Sequence, residues 1–156
     1  MADVKQTVED WLDNRSKSYL TKDFDAHADL IVLPLVIVTR SAVMIIEDER
    51  KLRIGFDAWR SMLRNQQVTD TVHTIVNVTE LDADLVSAQH ITHLLRDATP
   101  ICVPFSSQVT FRRCADERIR AVSITTGLRN LSWPITIPRV EGTGETLDWK
   151  PDDPAA

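Results

Sequence analysis

The chain has 156 residues, enough for one domain with a single core, and its 43% apolar and 26% charged residues are those of an ordinary globular protein. Its 18 basic residues are dispersed and outnumbered by 23 acidic ones, a formal charge of −5, which excludes a general attraction to nucleic acid or anionic lipid. Two cysteines without a Cys-x-x-Cys unit, no signal-peptide pattern in MADVKQTVEDW and a longest apolar run of only Leu30 to Val38 exclude a disulfide framework and a membrane span, and predict a cytoplasmic protein with reduced thiols.

In chain order, Asp3 is an N-cap. After it Val4, Val8, Trp11, Leu12, Tyr19 and Leu20 recur at helical spacing, predicting a helix over residues 4–21. DFDAHADLI (Asp23–Ile31) predicts a second short helix capped by Asp23, and Pro34 ends helical character. LPLVIVT and AVMIIED are β-branched runs split by Arg40-Ser41, two strands around a short turn. In RKLRIGFDAWRSMLRNQQ, Leu52, Phe56, Trp59 and Leu63 make one apolar stripe, the clearest helix in the chain. Gly55 interrupts it at a cost of about 1 kcal/mol relative to alanine. Arg53, Arg60 and Arg64 read as a solvated face of that helix.

From Val68 the texture becomes β-rich. TVHTIVNVTEL, DLVSAQHITHLLRD, ICVPFSSQVTFRR and RIRAVSITTGL are separated by LDAD, DATP and CADE. Long strands joined by tight acidic turns predict an antiparallel meander. The resulting fold class is α+β, with helices on one face of a curved sheet. WPITIP (Trp133–Pro138) reads as a short added strand. The domain is expected to span residues 1–140, with 141–156 a loosely ordered tail whose Trp149 docks on the body or on a partner chain.

The stretch HITHLLRD (His90 to Asp97) carries two histidines three residues apart. On a helix they would share a face and could clamp a metal; on a strand they point to opposite faces. The flanking turn and strand signals favour strand, so no metal site is expected, and no Cys or Glu cluster supplies further ligands. Pairing through a loop at Asp82-Ala83 sets Ile75 opposite His90 and His73 opposite Thr92. One face then holds His73, Ile75, Asn77, Ala88, His90, Thr92 and Leu94. Two imidazoles and an amide in a half-dry cavity can move protons or orient a carbonyl. The competing reading is that they are hydrogen-bonded framework groups. No Gly-rich phosphate loop or nucleophile-elbow serine is present.

The order of elements carrying "DFDAHADLI", "LPLVIVT", "GFDAWRSML" and "HTIVNVTELDADLV" resembles the nuclear-transport-factor-2-like superfamily over roughly residues 4–128. This is the fold of ketosteroid isomerase, scytalone dehydratase, SnoaL-like polyketide cyclases and the small subunits of ring-hydroxylating dioxygenases. The resemblance implies a cone-shaped curved antiparallel sheet wrapped around about three N-terminal helices (a cystatin-like roll), an apolar pocket in the cone, and a homodimer through the sheet face. Aligned on "DFDA", the ketosteroid isomerases' hydrogen-bonding tyrosine falls at Arg15 and their catalytic aspartate near Thr39. The acidic residues that close their second helix are replaced by Leu33-Pro34-Leu35, so that isomerase chemistry is unsupported. His73 and Asn77 in "HTIVN" match the histidine and asparagine that often face the pocket in the dehydratase and cyclase branches.

Two functions are therefore expected: an apolar pocket for a small hydrophobic ligand, or a domain serving assembly; alternatively, a cofactor-free isomerase, dehydratase or cyclase. In the enzyme His73 and His90 would be catalytic, with Asn77, Thr92, Tyr19 and Trp59 contacting the ligand. No metal or cofactor is required, and neither nucleic acid nor membrane is expected as a partner.

Overall fold

The computed structural model describes residues 3–140. Helix α1 (Val4–Thr21) begins where the Asp3 carboxylate accepts the Lys5 N–H, and ends at Lys22, whose φ of 57° turns the chain back. Helix α2 (Phe24–Ala28) is capped by Asp23 as expected. It is shorter than Asp23–Ile31 because the chain turns at Asp29-Leu30 and enters strand β1 (Ile31–Val38) at Ile31. Strand β2 (Val43–Ile46) pairs antiparallel with β1, and helix α3 (Glu49–Asn65) follows, its first turn capped by Asp48 through the Lys51 N–H. Then come β3 (Asp70–Asp82), β4 (Leu85–Arg96), the two-residue β5 (Thr99–Pro100), β6 (Phe105–Arg113) and β7 (Ile119–Thr126).

Among the described residues these strands form one seven-stranded sheet, ordered β2-β1-β7-β6-β4-β3 with β5 on the end of β4. β3, β4, β6 and β7 make the predicted antiparallel meander, while β1 pairs parallel with β7, so the whole sheet is mixed. Pro34 has no N–H for a ladder, and the β1–β7 pairing shifts register between Ile31 and Val36, around it. No helix among the described residues is long and apolar enough to cross a membrane.

The inner face of the sheet has two zones. Toward one end Val86, Ala88, Val109, Phe111, Ile119 and Ala121 are buried and wholly apolar. Against them α1 packs Val8, Trp11 and Leu12; Trp11 meets Phe111 edge to face at 4.9 Å and donates its indole N–H to the Leu30 carbonyl at 3.0 Å. Toward the other end the same inward-facing row turns polar with His90, Thr92, Ser107 and Thr126, all buried. The core thus closes one end of the cone and leaves the other incompletely filled. Helix α3 leans on α1 and α2 partly through two arginines of its expected solvated face. Arg60 donates to the Tyr19 carbonyl at 3.0 Å, and the Arg53 guanidinium lies 4.1 Å above the Phe24 ring.

WPITIP is not a strand. Residues 129–139 form a loop closed at its neck by Arg129 N–H to Arg139 C=O (2.8 Å) and by Asn130, whose side chain bonds Ile137 C=O and Arg139 N–H. Asn130 consumes the backbone groups that a sheet neighbour would have used. Both cysteines are free, Cys102 buried and Cys114 half-buried. The expected loose tail and the docking of Trp149 fall on residues 141–156, outside the described residues.

Candidate functional site

The unfilled end of the cone is a cavity of about 250 Å³ between α1, α3 and the polar zone of the sheet, walled on one side by Trp133 and Ile135 of the loop. Strand register explains its polar strip. Ile75 pairs with His90, His90 with Ser107 and Ser107 with Thr126, so one row runs across four strands; in the next row His73 pairs with Thr92. Ser107 donates to the Thr126 hydroxyl at 3.1 Å. The opposite wall is aromatic and aliphatic: Tyr19, Phe56, Trp59, Leu52 and Leu63.

His73, His90, Thr92, Tyr19 and Trp59, five of the six residues singled out from the sequence, line this cavity together. The rings of His73 and His90 meet edge to face with centroids 5.1 Å apart. One ring nitrogen of His73, Nε2, lies 3.2 Å from the Ser16 hydroxyl and the other, Nδ1, 3.3 Å from the Thr92 hydroxyl. His90 is 2% exposed, and neither of its ring nitrogens has a hydrogen-bond partner among the described residues.

Asn77 is not there. The turn is Ala83-Asp84 and not Asp82-Ala83, since Asp82 pairs with Leu85, and irregularities at Leu81 and Val76 then offset the ladder: the expected pairing holds at His73–Thr92 and Ile75–His90, but Asn77 pairs with Gln89 instead of Ala88. One extra residue sends everything after it to the other face. Asn77 is exposed on the outer face, its amide donating to Gln89 at 3.2 Å, and Val78 takes the inward position against Ala88. The match of "HTIVN" to a His–Asn pocket pair therefore fails at the asparagine.

The cavity residues that were not named as site residues include Arg15, Ser16, His27 and Trp133. Arg15 has a legible signal: it stands four residues after Trp11 and four before Tyr19, on the buried stripe of α1. Its guanidinium carbon sits 5.8 Å and 5.9 Å from those two ring centroids. His27 is buried among Tyr19, Phe24 and Phe56, with Nδ1 3.5 Å from the Ser18 hydroxyl. Trp133 belongs to a loop that no local pattern aims at α3.

Burial, assisted by repulsion from the Arg15 guanidinium, pushes His27 down from 6.5 to about 3 and His90 to about 4. Burial likewise pushes His73 to about 3, with His90, Arg15 and His93 adding to it. All three imidazoles are neutral at neutral pH, so Arg15 is the cation of the cavity. Among the described residues the sole acid on the wall is Asp70, which is exposed. Thr39, where the resemblance puts an isomerase aspartate, is not on the wall; its hydroxyl donates to Asn130 C=O at 2.7 Å and holds the base of the loop. Among the described residues no group of three or more His, Cys, Asp or Glu is placed to hold a metal ion.

Solved structures share this architecture at low identity. An NTF-2-like protein of unknown function from Shewanella oneidensis MR-1 superimposes with a TM-score of 0.61 at 10% identity, covering 80% of this chain and 98% of its own. A ketosteroid isomerase-like protein from Erwinia carotovora atroseptica gives 0.52 at 15%, covering 78% and 92%. A Nostoc punctiforme protein of unknown function with a cystatin-like fold gives 0.57 at 12%, covering 78% and 88%. At such identities the likeness shows the α+β cone and nothing about chemistry. No curated protein matches the chain. The model of one sequence family, described as NTF2-like protein (DUF6841), matches residues 2–128. The chain belongs to that NTF2-like family.

Proposed function

We propose that the protein binds a small, largely apolar molecule in the open end of the cone. The observation that carries this reading is the cavity of about 250 Å³, with an aromatic wall and a short row of imidazole and hydroxyl groups facing it. Concave apolar sites with a few convergent polar groups are the usual form of ligand pockets. A screen of ligand-induced melting shifts tests it. Ligands that stabilise the parent protein are expected to lose most of their effect in His73→Ala and to keep it in Asn77→Ala, since Asn77 faces away. Equal shifts in His73→Ala and the parent for every hit would remove His73 from the site.

A second reading, proton transfer on the bound molecule, is favoured by one arrangement: His73 held between two hydroxyls with His90 against its ring. His73 would be the acid/base and His90 would orient it. An imidazole pushed down to about 3 is a weak base, so this chemistry needs a ligand whose charge raises it toward neutrality. Hits incubated in D2O separate the readings: loss of a carbon-bound proton signal catalysed by the parent and not by His73→Ala supports catalysis, and no exchange with any hit leaves binding alone.

Assembly through the outer face of the sheet belongs to the same proposal. Val72 and Val76 of β3 are 44% and 51% exposed there, and side chains of that kind are often covered by a partner. Sedimentation equilibrium is expected to give twice the chain mass, falling to one chain in a Val72→Lys/Val76→Lys variant. A single-chain mass for the parent would discard the dimer.

A further inference from the structure

Among the described residues the cavity's cation, Arg15, has no acidic partner within salt-bridge distance. Arg15 brings five donors in a planar fork, yet its side chain makes no hydrogen bond or ion pair among the described residues, and its Nε is buried from water. The Trp11 and Tyr19 rings offer only their π faces, at 5.8 Å and 5.9 Å. On the sheet side His90, at 2% exposure, also has both ring nitrogens without a partner among the described residues. Two polar groups lining one cavity, one from α1 and one from β4, thus lack, among the described residues, the partners that buried polar groups nearly always have.

We infer that the molecule bound in this cavity carries a carboxylate, which Arg15 receives through its guanidinium fork while His90 or the Ser16 hydroxyl takes a remaining oxygen contact. The inference rests on the pocket reading above and narrows it to aryl or alicyclic acids. A planar two-oxygen anion matches a single guanidinium, whereas a phosphoryl group would call for more donors than this wall offers. The rest of the lining suits a carbon skeleton: Phe56, Trp59, Leu63, Trp133 and Ile135. The exposed Asp70 adds no negative charge to the interior.

The probes are trans-cinnamate and its neutral isostere cinnamamide, titrated calorimetrically into the full chain. Hydrogen bonds to charged groups are worth about 1.5–3 kcal/mol, so the acid is expected to bind roughly 10- to 100-fold tighter than the amide. In Arg15→Gln, which removes the charge and keeps a shorter polar amide, the two affinities are expected to converge. A variant-free readout accompanies this: the Arg15 Nε–H resonance of the parent should move downfield with cinnamate and stay with cinnamamide. Equal affinities for acid and amide in the parent overturn the carboxylate assignment and leave the pocket reading standing. Binding of neither probe overturns both.

Discussion

Gly55→Ala is expected to destabilise the protein by about 2–4 kcal/mol, although alanine is worth about 1 kcal/mol more than glycine inside a helix. A β-carbon on Gly55 would lie 1.8 Å from Cζ2 and 2.4 Å from Cη2 of Trp133. The indole occupies the space that any side chain at position 55 would need, and it donates its N–H to the Lys51 carbonyl, one turn earlier on α3, at 2.8 Å. The larger residue must expel the ring, breaking that hydrogen bond and opening the cavity wall. The same substitution in a Trp133→Ala background is expected to reverse sign and stabilise by up to about 1 kcal/mol, because only helix propensity is then left. Urea unfolding of the four proteins checks this. A Gly55→Ala cost that is the same in both backgrounds would show that the ring is not docked on that glycine.

The other large effect is acid instability. Unfolded histidine titrates near 6.5, whereas in the fold His27 and His73 titrate near 3 and His90 near 4. Between those limits the unfolded chain binds more protons than the folded one, so stability rises with pH and is lost as pH falls below about 6.5. Each histidine contributes a slope of about 1.4 kcal/mol per pH unit, roughly 2 kcal/mol by about pH 5. Three together remove several kcal/mol from a total that is only about 5–15 kcal/mol for a domain. Carboxylates act later: Asp116, pulled down to about 2 by the Arg120 side chain, is still ionised there. His90→Leu, which removes an imidazole with no hydrogen-bond partner among the described residues, is expected to reduce the slope by about one third without weakening the protein at neutral pH. Unfolding free energies that stay level from about pH 7 to about pH 5 would contradict the buried, neutral state of these rings.

Both effects arise where the fold departs from what any single segment specifies. Gly55 looks like a flaw in an otherwise regular apolar stripe, and it is the seat of an indole 78 residues further on, Trp133. His73 and His90 become neighbours because a register of short β-branched residues and one turn brings them together. That register was right from Ile75 to His73 and wrong between the turn and Asn77, because the turn is Ala83-Asp84 and the ladder is irregular at Leu81 and Val76. A bulge satisfies the ladder by omitting one pair, and nothing in TIVNVT marks which residue it omits. Arg15 was read only as the position where the isomerases have their tyrosine, not as a cavity residue, and a charged residue in a helix ordinarily faces water. Its neighbours at four-residue spacing, Trp11 and Tyr19, were the sign that this one does not.

Local patterning by itself determined the class of this protein. Helices whose apolar residues recur every three or four positions, and strands whose residues alternate, call for helices laid on one face of a sheet, and the caps at Asp3 and Asp23 mark where the first two helices start. Only the tertiary structure decided what the open end of the cone contains. Which residues meet there depends on β1 joining β7 in parallel, on the bulge at Val76 and on the loop at residues 129–139 folding back over α3. Each of these is settled by contacts between segments far apart in the chain, whose energies no local pattern records.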